Sequence, residues 1–572
     1  MHGLTKIKIR YKIVSKYTLE KRREENMQIQ YKKQTKEVNE GESVKTILAE
    51  EISQIENVIA CKINNEVKGL HAIPKPGDTI DLLTTRQKDG SRVYIRGLLY
   101  IMGKAFQEVY PDVKLTVMYQ ISNAMFCNAT NLEITEEIIL KVRSKMQEII
   151  DKDLPIVEKE MSKEEAKEFY EKEKTLFGRL QLDNQNNEKI SLYFCEEYYN
   201  YFYGTMPVST GYIQLYDIIP YRGGFLVRYP KRNNPNVVPK YEETKKLFAS
   251  LHEYEEIHEI LKVNTVHRLN KKIEEDRAEE MIMLAEALQE NKIAQIAEQI
   301  AKNKQTKVIL IAGPSSSGKT TFAKKLGIQL RLKGIKPVTL SVDNYFVERK
   351  DNPVDEDGNL DFECLEAIDL DLLNKALKDL LEGKEIQVPT FDFKEGSKKY
   401  KGNTMHLADD EVLIMEGIHC LNDALTPSIP KENKFKIYIS ALTVLNIDYY
   451  NRISTTDTRL VRRLVRDSKF RGYTALQTLQ KWASVNKGEE LYIFPYQEQA
   501  DCMLNTSLVY ELAVLKKYAI PLLKEIDKSH EEYAEAQRMI ALLEYFKDIP
   551  DDYVPSNSLL TEFIGKGVFK YN

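Results

Sequence analysis

Cysteine is scarce: six in 572 residues. Cys61, Cys127, Cys195, Cys364, Cys420 and Cys502 are scattered, with no CxxC pair. That excludes a disulfide-stapled scaffold and makes a reducing compartment, the cytoplasm, the expectation. Long apolar runs are missing too. No stretch approaches the roughly 20 residues that a membrane-spanning helix requires, and the first 26 residues lack the apolar centre of a secretory signal. Neither a membrane partner nor export is expected. Charge of one sign is absent, since 83 Lys+Arg stand against 87 Asp+Glu for a formal net charge of −4. A global polyelectrolyte for nucleic acid or anionic lipid is thereby excluded, and any basic surface must be local. There is no internal repeat and no low-complexity tract. What is plentiful is length: 572 residues exceed one hydrophobic core and imply three or more domains.

The expected organisation follows the composition. Residues 1–26 are a basic N-terminal extension with eight Lys/Arg against three acids, read either as an RNA-binding arm or as a solvated tail, with Met27 an alternative start. Residues 27–84 alternate short β-rich segments with turns such as "IPKPGDTIDLL" and predict a small sheet domain. Residues 90–265 mix the helix-like "GLLYIMGKAFQEVY" and "SKEEAKEFYEKEK" with β-rich Tyr/Phe segments, so an α+β domain is expected. Residues 266–304 hold neither Gly nor Pro, and their apolar spacing of three and four predicts one connecting helix. A nucleotide-binding domain is assigned to 305–520, and a C-terminal helical segment and tail to 521–572.

The stretch "IAGPSSSGKTTFAKKL" carries the chemistry. Gly313, Gly318, Lys319 and Thr320 fit GxxxxGK[ST], after the apolar run "KVIL" and at the start of a helix-like run, which a flexible Gly/Ser turn would not require. In such a loop the backbone N–H groups of Gly313, Pro314, Ser315, Ser316, Ser317, Gly318, Lys319, Thr320 and Thr321, less the proline, are placed to wrap phosphates. Lys319 meets the β/γ oxygens, and the Thr320 hydroxyl holds Mg²⁺. ATP and Mg²⁺ are therefore the expected cofactors. Two carboxylates follow strand-like runs: Asp343 after "PVTLSV" and Glu416 after "DEVLIM". In a parallel doubly wound sheet, ligands sit at the carboxyl ends of strands. There a carboxylate accepts the proton of a substrate hydroxyl or holds the metal. "TTDTRLVRRLVRD" sets Arg459, Arg462 and Arg466 on one helical face by i, i+3, i+4 spacing, with Arg463 beside them. Two readings stay open: a mobile lid stabilising a transferring phosphoryl group, or an exposed charged helix.

"GPSSSGKTTFAKKL", "SVDNYF", "VPTFDF", "EGIHCLND" and "DTRLVRRLVRD" occur in the order found in uridine kinases and phosphoribulokinases, and residues from about Lys307 to Ala519 resemble that family. The resemblance implies an α/β phosphate-loop kinase with a parallel sheet acting on a small hydroxylated acceptor, a nucleoside or sugar. By position, Asp343 becomes the general base, Glu416 the magnesium-side carboxylate, and Arg459 and Arg462 charge-stabilising lid residues. Lys319 completes the catalytic set, and Phe346 lies with Asp343 in the acceptor segment. "LDFECLEAID" is similar to the family's Asn-Phe-Asp-His-Pro run with Glu363 in the place of the ribose-binding Asp. Phe391 matches the base-stacking aromatic, and Gly396 stands where some members have a histidine for the pyrimidine edge. Uridine is accordingly expected to be a poor acceptor.

The first half has resemblances of its own. Residues 27–84 resemble the TGS domain, a β-grasp module of threonyl-tRNA synthetases and certain GTPases. "GKAFQEVYPDVKL", "SKEEAKEFYEKE", "KISLYF" and "PVSTGYIQL" follow the order of the second additional, editing domain of threonyl-tRNA synthetase. Counting from "YPD" and "PVSTG" puts Arg96, Tyr100, Phe202 and Met206 at that domain's zinc-ligand positions. None of the four can ligate zinc. The Tyr-rich "FCEEYYNYFYG" is read either as a surface for RNA bases or as a core. Two function classes result: a kinase, or an RNA- or ribosome-binding regulator that uses the nucleotide site as a switch. A homo-oligomer is also expected.

Overall fold

In the computed structural model the described residues are 26–172, 182, 188–356, 358–392 and 395–570; the basic extension falls outside them apart from its last residue. The first sheet comprises β1 (Asn26–Tyr31), β2 (Gln34–Asn39), β3 (Val58–Ile63), β4 (Glu66–Lys68) and β5 (Thr79–Thr84) in the order β2-β1-β5-β3-β4. The pair β1/β5 is parallel and the others antiparallel. Met27, Ile29 and Tyr31 alternate inward along β1, the period-2 pattern of a one-faced sheet.

Helix α1 (Lys88–Val109) leads into β6 (Lys114–Ile121), β7 (Ala124–Thr130), α2 (Glu136–Asp151), β8 (Val157–Ser162), β9 (Lys189–Cys195), β10 (Tyr198–Asn200), β11 (Asp217–Tyr221) and β12 (Gly224–Arg228). They form a four-stranded sheet, β11-β12-β7-β6, and a three-stranded one, β10-β9-β8. The buried face of α1 (Leu98, Ile101, Met102, Ala105) meets Val142 and Met146 of α2 in one core. The Tyr-rich run belongs to cores as well. Tyr198, Tyr201 and Phe202 are buried, and Tyr100 meets Tyr198 edge-on at 4.9 Å. Phe194, Tyr199 and Tyr203 are partly exposed but pack against the core that includes Tyr201, so the structure favours the reading of the run as a core.

Residues 266–304 are not one helix. After α3 (Lys245–Leu261), α4 (Val266–Glu274) ends at a turn where Asp276 takes φ 56°, and α5 (Ala278–Lys302) starts afresh. Nor does α5 merely connect. Its Ile293, Ile296, Ala297 and Ile300 pack with Ile309 and Ile311 of β13 (Val308–Ala312) and with Phe322 and Leu326 of α6 (Lys319–Leu332), covering one face of the third sheet. That sheet adds β14 (Lys336–Ser341), β15 (Glu411–Glu416), β16 (Lys434–Ser440) and β17 (Cys502–Asn505), all parallel, in the order β14-β15-β13-β16-β17. Every residue of β13 and β16 is buried, as strands covered on both faces must be, and β13 is apolar throughout while β16 also buries Lys434 and Lys436. The opposite face is covered by α7 (Leu370–Leu381) through Leu373 and Leu377.

Then come α8 (Thr455–Arg466), α9 (Ala475–Tyr492), α10 (Glu511–Lys524), α11 (Tyr533–Glu544) and the single turn α12 (Thr561–Ile564). The last segment is no tail, since Leu560 and Phe563 are fully buried in the large C-terminal core. All six cysteines are free, and no helix among the described residues is long and apolar enough to cross a membrane.

Candidate functional site

The site forms at the carboxyl edge of the parallel sheet, where β13 ends at Ala312 and the chain turns through residues 313–318 into α6. Two glycines there are dictated by geometry. A Cβ on Gly313 would lie 2.1 Å from the Ile439 carbonyl oxygen of the neighbouring strand, and Gly318, the N-cap of α6, has φ +88°. Ser316 holds φ 60°, a strained value for a residue with a Cβ. The Ser316 and Ser317 hydroxyls are buried without a hydrogen-bond partner among the described residues. The Lys319 ammonium folds back on the Gly313 carbonyl at 2.9 Å. A loop with unspent donors and a cation at its mouth fits a polyphosphate.

Register brings the carboxylates to the same edge. Ile311 pairs with Glu416, which pairs with Ser341, two residues before Asp343. Ser341 donates its hydroxyl to Glu416 at 2.9 Å. Burial, then the charge of Asp343, push the Glu416 carboxyl up to about 7 against the pull of Lys319. Thr320 sits half-buried on the first turn of α6. Together Thr320 and Glu416 offer a hydroxyl and a carboxylate, oxygen donors suited to Mg²⁺.

The arginines depart from the expected arrangement. Arg459 and Arg462, expected on a mobile lid, are 1% and 0% exposed. Arg459 makes a bidentate pair with Glu489 of α9 and donates to the Ser315 carbonyl at 3.2 Å. Arg462 is held by Glu511 of α10 at 2.5 Å and by the Thr506 carbonyl at 2.7 Å. Glu489 also accepts the Ser315 N–H at 3.1 Å, and the Thr506 hydroxyl donates to the Ser317 carbonyl at 2.6 Å. These two arginines brace the loop from behind, each neutralised by a buried carboxylate, rather than standing on an exposed lid face.

The cations that face the site are others. Arg463 donates to the Ser315 hydroxyl at 2.9 Å, and Arg463, Arg466 and Arg471 all converge on buried Asp467. A five-residue π-turn, Asp467–Arg471, swings Arg471 round to join them. The charge of Arg466 pulls the Arg471 guanidinium down to about 10, while the charge of Asp343 opposes that shift. Three arginines against one aspartate leave this cluster positive. Sequence spacing grouped Arg466 with Arg459 and Arg462, because it carried no sign of the carboxylates in α9 and α10 that claim the latter two.

The residues expected on the acceptor side are Phe346, Glu363 and Phe391. Phe346 and Phe391 approach at 5.6 Å between ring centroids, and the Phe391 N–H donates to Asn344 at 3.4 Å. Glu363 is positioned by Asp361, whose Oδ1 accepts the Glu363 and Cys364 N–H groups at 2.9 and 3.2 Å while its Oδ2 accepts the Tyr492 hydroxyl at 3.0 Å. Burial pushes the Glu363 carboxyl up to about 7, with Arg463 and Lys319 opposing and Glu489 and Asp343 adding to the shift. Gly396 has φ +74°, and a Cβ there would strike the Arg349 side chain at 2.6 Å. The Arg349 side chain thus lies against Gly396.

A parallel sheet, a phosphate-cradling loop after its central strand and carboxylates from two adjacent strand ends define a phosphate-loop protein of the doubly wound class. Residues 308–511 match the model of the Phosphoribulokinase / Uridine kinase family. The uridine kinase of Staphylococcus aureus (strain JH9) is 31% identical over 202 residues, 35% of this chain and 88% of that relative. The chain belongs to this family through that region. Among solved structures, a possible uridine kinase from Bacillus stearothermophilus is 20% identical over 37% of this chain and 97% of that one, with a TM-score of 0.27. Phosphoribulokinase from Rhodobacter spheroides is 17% identical over 35% and 69%, with a TM-score of 0.23.

Proposed function

We propose that the chain is an ATP-dependent kinase that transfers the γ-phosphoryl group to a hydroxyl of a small acceptor, a nucleoside or a related sugar. The observation that carries this reading is the convergence of Lys319, Asp343, Glu416 and the Arg463 cluster around one loop. ATP would be held by the loop residues 313–321 and Mg²⁺ by Thr320 and Glu416, supplying the phosphoryl group and its charge neutralisation. A cation beside Glu416 favours its ionised form despite burial. Asp343 accepts the proton of the acceptor hydroxyl, and Glu363 receives hydrogen bonds from neighbouring hydroxyls, as the ribose-binding aspartate of its relatives would. Phe346 and Phe391 supply an apolar wall for a flat or weakly polar face of the acceptor. Arg349 over Gly396 favours an acceptor with an anionic or carbonyl edge.

The arginines take different roles in this proposal. Arg459 and Arg462 hold the loop in shape, while Arg463, Arg466 and Arg471 stabilise charge on the transferring group. For the first half, the order β2-β1-β5-β3-β4 with its parallel β1/β5 pair supports a TGS-like β-grasp module. Tyr100 and Phe202, two of the four synthetase zinc positions, lie 5.8 Å apart, and Arg96 on the same helix donates to the Thr205 carbonyl at 2.9 Å. This neighbourhood supports an editing-domain ancestry with its metal chemistry replaced by packing.

The test is a mass-spectrometric screen of nucleosides and sugars with ATP and Mg²⁺, run on the wild-type chain, Asp343→Asn and Lys319→Ala. Both variants should lose transfer, Asp343→Asn while retaining ATP binding and Lys319→Ala with ATP binding weakened. Near-normal turnover by Asp343→Asn would overturn the general-base role, and no phosphorylated product from any acceptor would overturn the kinase reading.

A further inference from the structure

The chain's own C-terminal segment reaches the phosphate cradle. Glu562, on the turn α12, accepts the Thr321 N–H at 3.2 Å and the Thr321 hydroxyl at 2.6 Å. Thr321 is the third residue of α6, so its N–H is one of the helix-start donors that have no partner within the helix. Those donors are the ones a phosphate-binding loop offers to the α- and β-phosphates. The contact is not an isolated surface pairing. Leu559 lies 3.5 Å from where a Cβ on Gly318 would stand, and buried Lys325 donates to the Asn557 carbonyl at 2.7 Å. On the far side, Lys469 of the π-turn donates to the Ile564 carbonyl at 2.8 Å, and the Arg462 guanidinium lies over the Phe563 ring at 5.1 Å. Residues 557–564 therefore bridge the start of α6 and the arginine-bearing end of α8 with its π-turn.

Building on the nucleotide-binding reading above, we propose that Glu562 is an intramolecular competitor for the nucleotide. Its carboxylate holds the donors of Thr321 when the site is closed, and the α-phosphate of ATP takes them over when it opens. Two anions cannot share this donor pair, because each would lose its hydrogen bonds and face the other's charge. Nucleotide binding then has to move the Glu562 side chain off Thr321 and loosen the hydrogen bonds that residues 557–570 make to α6. The hydrogen bond from Lys324 to the Lys570 carbonyl is broken at the same step. A carboxylate that merely caps α6 would leave nucleotide affinity untouched.

The experiment is titration calorimetry of the full chain with ATP and Mg²⁺, comparing wild type with Glu562→Gln, which keeps shape and removes charge. Its companion is hydrogen exchange of the wild type with and without the nucleotide, which needs no variant to fold. The proposal expects Glu562→Gln to bind ATP roughly tenfold tighter, the scale of one charge-assisted hydrogen bond. In the wild type, ATP should protect amides of residues 313–320 while exchange in 557–570 speeds up. Unchanged or weaker affinity in Glu562→Gln, or slower exchange in 557–570 alongside a protected loop, overturns the competitor role and leaves the nucleotide site standing. No heat of binding and no protection of the loop in either protein overturns both.

Discussion

Arg459 and Arg463 are four residues apart on one helix and both reach Ser315, yet Arg459 is fully buried against Glu489 and Arg463 pairs with Asp467. Arg459→Ala leaves Glu489 as a buried unpaired carboxylate, a change expected to cost about 3–5 kcal/mol in denaturant unfolding. Arg463→Ala removes a partly exposed cation beside the loop and should instead lower turnover about a hundredfold with little change in unfolding midpoint. A matching loss of stability in both variants would refute the division of roles. Glu363 gives a second expectation. Its carboxyl is raised from 4.5 to about 7, so between those values the folded chain binds a proton that the unfolded chain has released. Stability from this group is present below pH 4.5 and is lost as pH rises through 7. Acceptor binding runs the other way, because hydroxyls donate better to the ionised form. KM for the acceptor should fall between pH 6 and 8 in wild type, and this dependence should vanish in Glu363→Gln.

At the scale of elements, the sequence disclosed what local pattern controls. The loop 313–321 was legible because its glycine, lysine and threonine spacing is a local pattern, and β13 and β15 because their buried centres are apolar runs. The broken helix at Asp276 was not, since no Gly or Pro marks the left-handed turn. The orientation of α8 was not legible either. Its inward face is chosen by Glu489 and Glu511, which come from helices 30 and 49 residues further on. The same holds for Glu562, 241 residues from Thr321 in sequence. Local spacing places a charge on a face; only the tertiary partner decides whether that face is core, brace or site.

Across the whole molecule, a partly buried charge network ties the first half to the arginine helix. Lys88 and Arg92 at the start of α1 pair with Glu535 of α11, Arg538 pairs with Glu535, and Arg538 also holds Asp457 in the first turn of α8. Neighbouring guanidinium groups hold the Glu535 carboxyl well below its usual range despite burial. Arg538→Ala should therefore cost about 1–3 kcal/mol and lower turnover, because Asp457 loses its close cation and the N-terminal end of α8 its tether, while Glu535 keeps Lys88 and Arg92. Calorimetric unfolding together with steady-state rates checks this; a stable variant with wild-type turnover would show that the network is ornamental to the site.

The central strand β13 has a consequence for synthesis. Its partners β15 and β16 lie on the order of 100 residues or more downstream, so at a ribosomal pace of about 5–20 residues per second a wholly apolar, unpaired strand waits some 5–20 seconds for its neighbours. Helix α5 is completed just before it, and Ile293, Ile296, Ala297 and Ile300 form the stripe that ends up against Ile309 and Ile311. The helix that a linear reading takes for a connector is thus available as a nascent-chain shield, covering one face of the strand most exposed to aggregation until the rest of the sheet emerges.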